Sequence, residues 1–354
     1  MVGRELKVDR TIIGRWLCSL LMAVLLVGCQ NDAGDDVVSE GTPLRPSSVT
    51  RAGSHNALTY GSIQLYVMAP DATFSAGYFS YNNTDLLWAN SGVQVKENTQ
   101  YYIYGYMPHS YTGSIDKLSI GDYSAGAKLT ISGLPLITEQ DICVVVGVQR
   151  FTAATETSAT EGNYGYLSGL QSENYVNLLL DHLYSRLNLQ FNVDAEYYKL
   201  RRIHLKQVVL KAKYAGTVTA TVQLLAGHGI SDGESNYVSY SAPEANPAEK
   251  SFTLLSDVSQ DLPKVGSAYA VKTVNCPQCL FNDGAGAYLS IESTYDVYDT
   301  AEKITRANCK SVNKVNITGM LPGVSRTLTL TVAPTYLYVL GDNDVDNPTV
   351  VINN

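Results

Sequence analysis

The chain has 354 residues, with 25 Lys and Arg against 33 Asp and Glu, a net charge of −8 at pH 7. That acidic balance excludes a nucleic-acid binder, which needs basic patches to neutralise phosphates. Tyr numbers 25 and Phe 6, a surplus of amphipathic rings that suits half-buried strand faces and also carbohydrate or protein contact.

At the N-terminus, Arg4, Lys7, Arg10 and Arg15 outweigh Glu5 and Asp9, and an apolar run occupies residues 16–28. The run is too short for a bilayer core of ~20 helical residues. This is the layout of a bacterial export signal over residues 1–28. Leu26-Val27-Gly28-Cys29 resembles the lipobox of bacterial lipoproteins. The resemblance implies cleavage before Cys29 and acylation of that residue, with anchorage in the outer membrane. Two or three acyl chains hold a protein firmly where one does so only marginally.

After Cys29 the composition turns polar. Residues 30–54 contain Asp32, Asp35, Asp36, Glu40, Pro43 and Pro46, and their sizeable apolar residues are Val37, Val38, Leu44 and Val49. This predicts a flexible leader over 29–56 with little strand character. It carries two arginines. Arg45 precedes Pro46, whose ring disfavours cleavage, while Arg51 precedes Ala52. An Arg-specific protease would therefore cut between Arg51 and Ala52.

From Leu58 the apolar pattern has period two, the mark of strands. Ile63, Leu65 and Val67 alternate with Gln64, Tyr66 and Met68. Residues 77–81 form a short Tyr/Phe strand. Residues 93–95 and 101–106, separated by Glu97-Asn98, predict a hairpin. Residues 142–148 are continuously apolar, which predicts a strand buried on both faces. Residues 152–168, rich in Thr, Ala, Gly and Ser, and residues 227–250, with Pro243 and Pro247, read as loops. Leu187, Leu189, Phe191 and Val193 alternate with Asn188, Gln190 and Asn192, giving one wet face. Further strands are predicted near 203–210, 218–224, 251–255, 269–274, 288–298, 312–317, 328–332, 336–340 and 349–352. No twelve-residue window of the mature part has helical spacing beyond a turn near 181–186. The pattern predicts two tandem β-sandwiches, residues 57–173 and 174–354.

Cys276-Pro277-Gln278-Cys279 is the sharpest local motif. A CxxC can be redox-active, a zinc half-site or part of a disulfide framework. No helix opens at it and no His lies within 40 residues of the pair. The favoured expectation is a structural disulfide between Cys309 and Cys276 or Cys279, and a buried free thiol at Cys143. The five histidines stand beside no nucleophile motif. Asp342–Asp346 lacks the Gly and Glu of a calcium loop and reads as an acidic turn. No catalytic residue, metal or cofactor is predicted.

Three stretches resemble the fimbrillin family, subunits of type V pili: residues 97–108 (ENTQYYIYGYMP), 180–191 (LDHLYSRLNLQF) and 312–353, which holds TLTLTVAPTYLYVL and DNPTVVIN. The resemblance implies two transthyretin-like, Greek-key sandwiches and a non-enzymatic structural role in surface fimbriae that support cell adhesion. It implies that a protease removes the leader after Arg51. A strand lost with the leader, or lying near 57–67, then changes place, and a strand from a neighbouring subunit fills the groove. Partners would be other pilus subunits, with the C-terminal segment 328–352 as donor, and a host or bacterial surface ligand. The alternative expectation is a glycan- or protein-binding surface lipoprotein that uses its tyrosines.

Overall fold

A computed structural model describes residues 41–353 except 52–56, 70–73, 91, 152–158, 170–173, 214–215, 231–236, 242–247, 281–288, 316–319 and 337–342. The export signal, Cys29 and Ala52 lie outside the described residues. In chain order the strands are Thr42–Arg51 (β1), Ser62–Met68 (β2), Phe74–Asn82 (β3), Leu87–Asn90 (β4), Gln94–Val95 (β5), Gln100–Met107 (β6), Thr112–Ser119 (β7), Asp122–Pro135 (β8), Cys143–Arg150 (β9), Gly165–Leu167 (β10) and Asn174–His182 (β11). They continue as Ser185–Val193 (β12), Arg202–Lys213 (β13), Thr217–Leu225 (β14), Val238–Tyr240 (β15), Glu249–Leu255 (β16), Gln260–Asp261 (β17), Tyr269–Cys276 (β18), Leu289–Tyr298 (β19), Ile304–Val315 (β20), Ser325–Tyr336 (β21) and Asn343–Asn353 (β22). Two 3-10 turns, Tyr197–Lys199 and Gln278–Leu280, are the only helical pieces among the described residues. The fold is all-β.

A nine-stranded sheet runs β4-β3-β2-β6-β9-β11-β1-β5, with β10 on β6. Three smaller sheets run β18-β12-β21-β22, β16-β13-β19-β20 with β17 on β13, and β15-β14-β8-β7. The last joins β8 to β14 across residue 173, and β11, which opens at Asn174, pairs with β9 and β1.

Period-two alternation in the large sheet feeds two cores. Ile63, Leu65 and Val67 of β2 enter one core with Phe79, Ile103 and Leu180, while Tyr66 and Met68 enter the other. The apolar run of β9 is the wall between them. Cys143, Val145 and Val148 face the first core, and Val144 and Val146 face the second. That is why its sequence shows no polar face. Gly105 lets β6 lie close to β2, since a Cβ there would meet the Gln64 carbonyl oxygen at 2.3 Å.

The wet face of β12 is a polar ladder. Gln190 Nε2 donates to Thr329 Oγ1 at 2.7 Å, and Thr331 Oγ1 donates to Asn192 Oδ1 at 2.7 Å. These cross-strand bonds fix the parallel register of β12 on β21.

Three expectations are corrected. The hairpin of residues 93–106 does not form, because β5 pairs with β1 and β6 with β2, β9 and β10. Residues 42–51, expected to be tether, are strand β1, with Leu44 and Val49 fully buried. Asn343–Asp346 opens β22 instead of forming a turn. Among the described residues many tyrosines are buried, Tyr66, Tyr101, Tyr104, Tyr106, Tyr164 and Tyr166 among them, and others, such as Tyr102 and Tyr123, are half-buried, as the surplus of amphipathic rings leads one to expect.

Candidate functional site

The site is built around β1 and its last residue, Arg51. Pro43 and Pro46 deprive β1 of two N–H donors, so it suits a seam position and not the middle of a ladder. On one side it runs parallel to β11, from Leu44 opposite Asn174 to Arg51 opposite Leu180, with a bulge between Pro46 and Ser48. On the other side it pairs with β5 only at Thr42–Val95 and Pro43–Gln94, extended by Leu44 N–H donating to the Val93 carbonyl at 3.1 Å. Beyond that grip a cavity of about 500 Å³ separates Pro43, Arg45 and Pro46 from Leu87, Trp88 and Ala89. So β1 is held firmly along one edge and loosely along the other, and parallel pairing is slightly the weaker kind.

What keeps it in place is burial. Leu44 and Val49 pack among Val176, Leu178 and Leu180 of β11 and Val93 and Val95. Ser48 Oγ donates to Asn177 Oδ1 at 2.8 Å, and Thr42 Oγ1 to the Val95 carbonyl at 3.3 Å. Past Arg51 the chain returns along β1. Ala57 bridges Thr50, and Leu58 N–H donates to the Val49 carbonyl at 2.7 Å.

Arg51 ends in a small polar socket. Its Nη2 lies 2.8 Å from Asp141 Oδ2, with side-chain exposures of 16% and 11%. It also donates to the Tyr60 hydroxyl, and its Cζ lies 5.6 Å from the Tyr60 ring centre. The Asp141 contact is an ion pair off the hydrogen-bond line, and Arg51 Nε is buried without a hydrogen-bond partner among the described residues. His182 Nδ1 meets Asp141 Oδ1 at 2.7 Å, and Arg186 Nη2 lies 3.9 Å from Oδ2. Burial alone would raise the Asp141 pKa. The His182 hydrogen bond and the charges of His182, Arg51 and Arg186 outweigh it and hold the carboxyl below its ordinary range.

The sign of the pH effect follows. A carboxyl with a depressed folded pKa stabilises fully above its unfolded value, near pH 4, and loses that contribution as pH falls through the folded value. Wild-type protein is therefore expected to melt above an Asp141→Asn variant at pH 7, and the gap should close as the pH falls below about 4. Paired calorimetric melts across that range measure it. A gap that persists unchanged at the acid end contradicts the assignment.

Cys143 Sγ lies 3.7 Å from His182 Nδ1, so Asp141, Cys143 and His182 have donor atoms within 4.8 Å of one another. Two features bear on their chemistry. Cys143 and Asp141 meet the same ring nitrogen, whereas a nucleophile–base–carboxylate relay uses one partner at each. Burial also pushes the Cys143 thiol pKa well up, away from the reactive thiolate. The nearest guanidinium at this carboxylate is that of Arg51, with Arg186 farther off.

The other predicted residues lie elsewhere. Cys276 ends β18, Cys279 is in the turn Gln278–Leu280, and Cys309 is in β20. Cys309 is a free, buried thiol, so the expected disulfide from Cys309 is not formed. The two strands belong to different sheets, β18 beside β12 and β20 beside β19, which leaves Cys309 outside any ladder shared with the CxxC stretch. Cys143 is the buried free thiol expected. Sequence reading singled out Arg51 but missed Tyr60, Asp141 and His182, which no local motif marks.

No family model and no curated protein matches the chain. Solved structures do. One is a fimbrial protein from Bacteroides vulgatus ATCC 8482, at 10% identity and TM-score 0.45, covering 87% of this chain and 98% of that one. Another, described as a "putative cell adhesion protein" from Bacteroides fragilis NCTC 9343, has 10% identity and TM-score 0.43, with coverages of 89% and 97%. A third, a "putative adhesin" from Bacteroides ovatus, has 9% identity and TM-score 0.35, with coverages of 89% and 93%.

Proposed function

We propose that this chain is a non-enzymatic structural subunit of surface fimbriae, exported as a lipoprotein on Cys29, matured by cleavage between Arg51 and Ala52, and assembled by strand exchange. One observation carries the reading: the segment that ends at Arg51 is a strand of the fold whose Leu44, Pro46 and Val49 are buried. A single cut after Arg51 turns β1 from part of the chain into a peptide held only by non-covalent contacts. Its departure would uncover the β11 edge and the apolar positions Val176, Leu178 and Leu180. Unpaired backbone groups beside an apolar groove form a template for another strand.

The donor is narrower than segment 328–352. β21 is interior, between β12 and β22, and giving it up would break the sheet open. β22 is an edge strand, so a subunit can give it up with one ladder lost. The names of the matched structures agree with this reading, which does not rest on them.

The alternative is a glycan- or protein-binding surface lipoprotein. Among the described residues the exposed rings available to it are few, chiefly Tyr60, Phe74 and Tyr78, because the other described tyrosines are buried or half-buried.

Native precursor treated with an Arg-specific protease is expected to yield a new N-terminus at Ala52, and the product should form multimers that retain the mass of residues 52–354. Peptide sequencing and size-exclusion chromatography with light scattering measure this. Absence of a cut at Arg51, or a strictly monomeric product that has lost β1, contradicts it.

A further inference from the structure

We infer that Asp141, with Tyr60, forms a guanidinium socket that sequesters Arg51 and so slows its recognition by a protease in the folded precursor. The inference rests on the maturation reading above and adds a control to it. An Arg-specific protease must do two things to cut after Arg51. It must take the guanidinium into an acidic pocket of its own, and it must bind the flanking backbone as an extended strand along a free edge.

The fold withholds both. The guanidinium is ion-paired to Asp141 at 2.8 Å, bonded to the Tyr60 hydroxyl, and mostly buried. The backbone of Val49 and Thr50 is occupied on one edge by Leu178 and Leu179 of β11 and on the other by Ala57 and Leu58. Cleavage therefore waits for a local opening that draws Arg51 out, and its rate follows the population of that open form.

Asp141 is the positioning residue of the device. It sits just ahead of β9 and is itself fixed by His182 at the end of β11. The socket is only partly satisfied, because Arg51 Nε and Asp141 Oδ2 both lack hydrogen-bond partners among the described residues. A partly satisfied socket restrains the arginine without locking it, which suits a site that must eventually open.

The test is the rate of cutting at Arg51 in the folded full-length precursor. Asp141→Asn keeps the shape and removes the charge, and cutting should accelerate on the order of tenfold, between the scale of an exposed ion pair and that of a fully buried one. Tyr60→Phe alters a half-exposed residue and removes only a hydroxyl, so it leaves the fold intact; it should accelerate cutting about threefold, the low end of a single hydrogen bond. Asp141→Glu should restore slow cutting in part. Cleavage at Arg306, on β20 in a sheet that holds none of the socket residues, reports general loosening and should not change.

Wild-type rates in both Asp141→Asn and Tyr60→Phe overturn the socket, as does equal acceleration at Arg306. In that case cleavage at Arg51 still occurs and the maturation reading stands. If no folded variant is cut at Arg51 while urea-unfolded precursor is, the maturation reading and the socket fall together.

Discussion

Arg51→Gln leaves the leader attached. The substitution removes the guanidinium an Arg-specific protease reads, and sites built to pair a specific polar group discriminate on the order of 10⁴-fold against an analogue that lacks it. The preceding basic residue gives no bypass, because Arg45 is followed by Pro46 and Leu44 beside it is fully buried. The expected product on cells is an uncut lipoprotein at precursor mass, with β1 still in its groove and no fimbriae visible by electron microscopy. The variant should fold, since the introduced glutamine amide can still donate to Tyr60 or Asp141 at the socket's rim. It differs in this way from a destabilised protein, which would vanish from the membrane altogether. Mature-length chains in the Arg51→Gln strain would place the maturation cut elsewhere.

Val49→Asp should detach β1 without any cut. Val49 has no exposed surface and packs in the core formed with β11. A carboxylate there lies among Val176, Leu178 and Leu180 with no cation, and burying an unpaired charge belongs to the costliest class of substitution, about 4 kcal/mol or more. The loosely held seam gives way first. On the side away from β11, β1 has only the short grip on β5 at one end and the contacts of Ala57 and Leu58 at the other, so peeling it away costs less than unfolding either core. The expected signature is fast hydrogen exchange at the β11 amides that face β1, such as that of Leu178, with the alternate β11 amides that face β9 still protected, and concentration-dependent association of the uncut chain. Measured β11 protection equal to wild type would mean that β1 does not cover that edge in solution. Together the two variants separate the cut from its consequence: one keeps the strand by blocking cleavage, the other loses it without cleavage.

Much of the fold could be read from local pattern. The alternation of Leu187 to Val193 and the Thr ladder of residues 327–331 gave paired strands with the expected polar face, although that face is buried at its Asn192–Thr331 end. The uninterrupted 142–148 run gave a strand buried on both faces, now seen as the partition between two cores. The misses have physical causes. β1 was invisible because Pro43, Pro46 and the bulge before Ser48 break period two, so Leu44 and Val49 do not share one alternation. The 93–106 hairpin failed because Gln94 and Val95 find a better partner in Thr42 and Pro43 than in the strand that follows.

By itself the sequence determined the class of architecture and marked the arginine at which a cut is proposed. Alternating β-branched and aromatic residues allow little but sheets, and an arginine followed by alanine is cuttable where one followed by proline is not. Only the tertiary structure decided what lies on the leader side of that bond. A polar stretch became a core strand because β11 offered it an unpaired edge and an apolar bed, contributions from residues far along the chain. Asp141 and Tyr60 reached Arg51 the same way, through the packing of β9 and β11 and the return of the chain past Ala57. Interactions of that kind depend on distance in space, and no local pattern of residues records them.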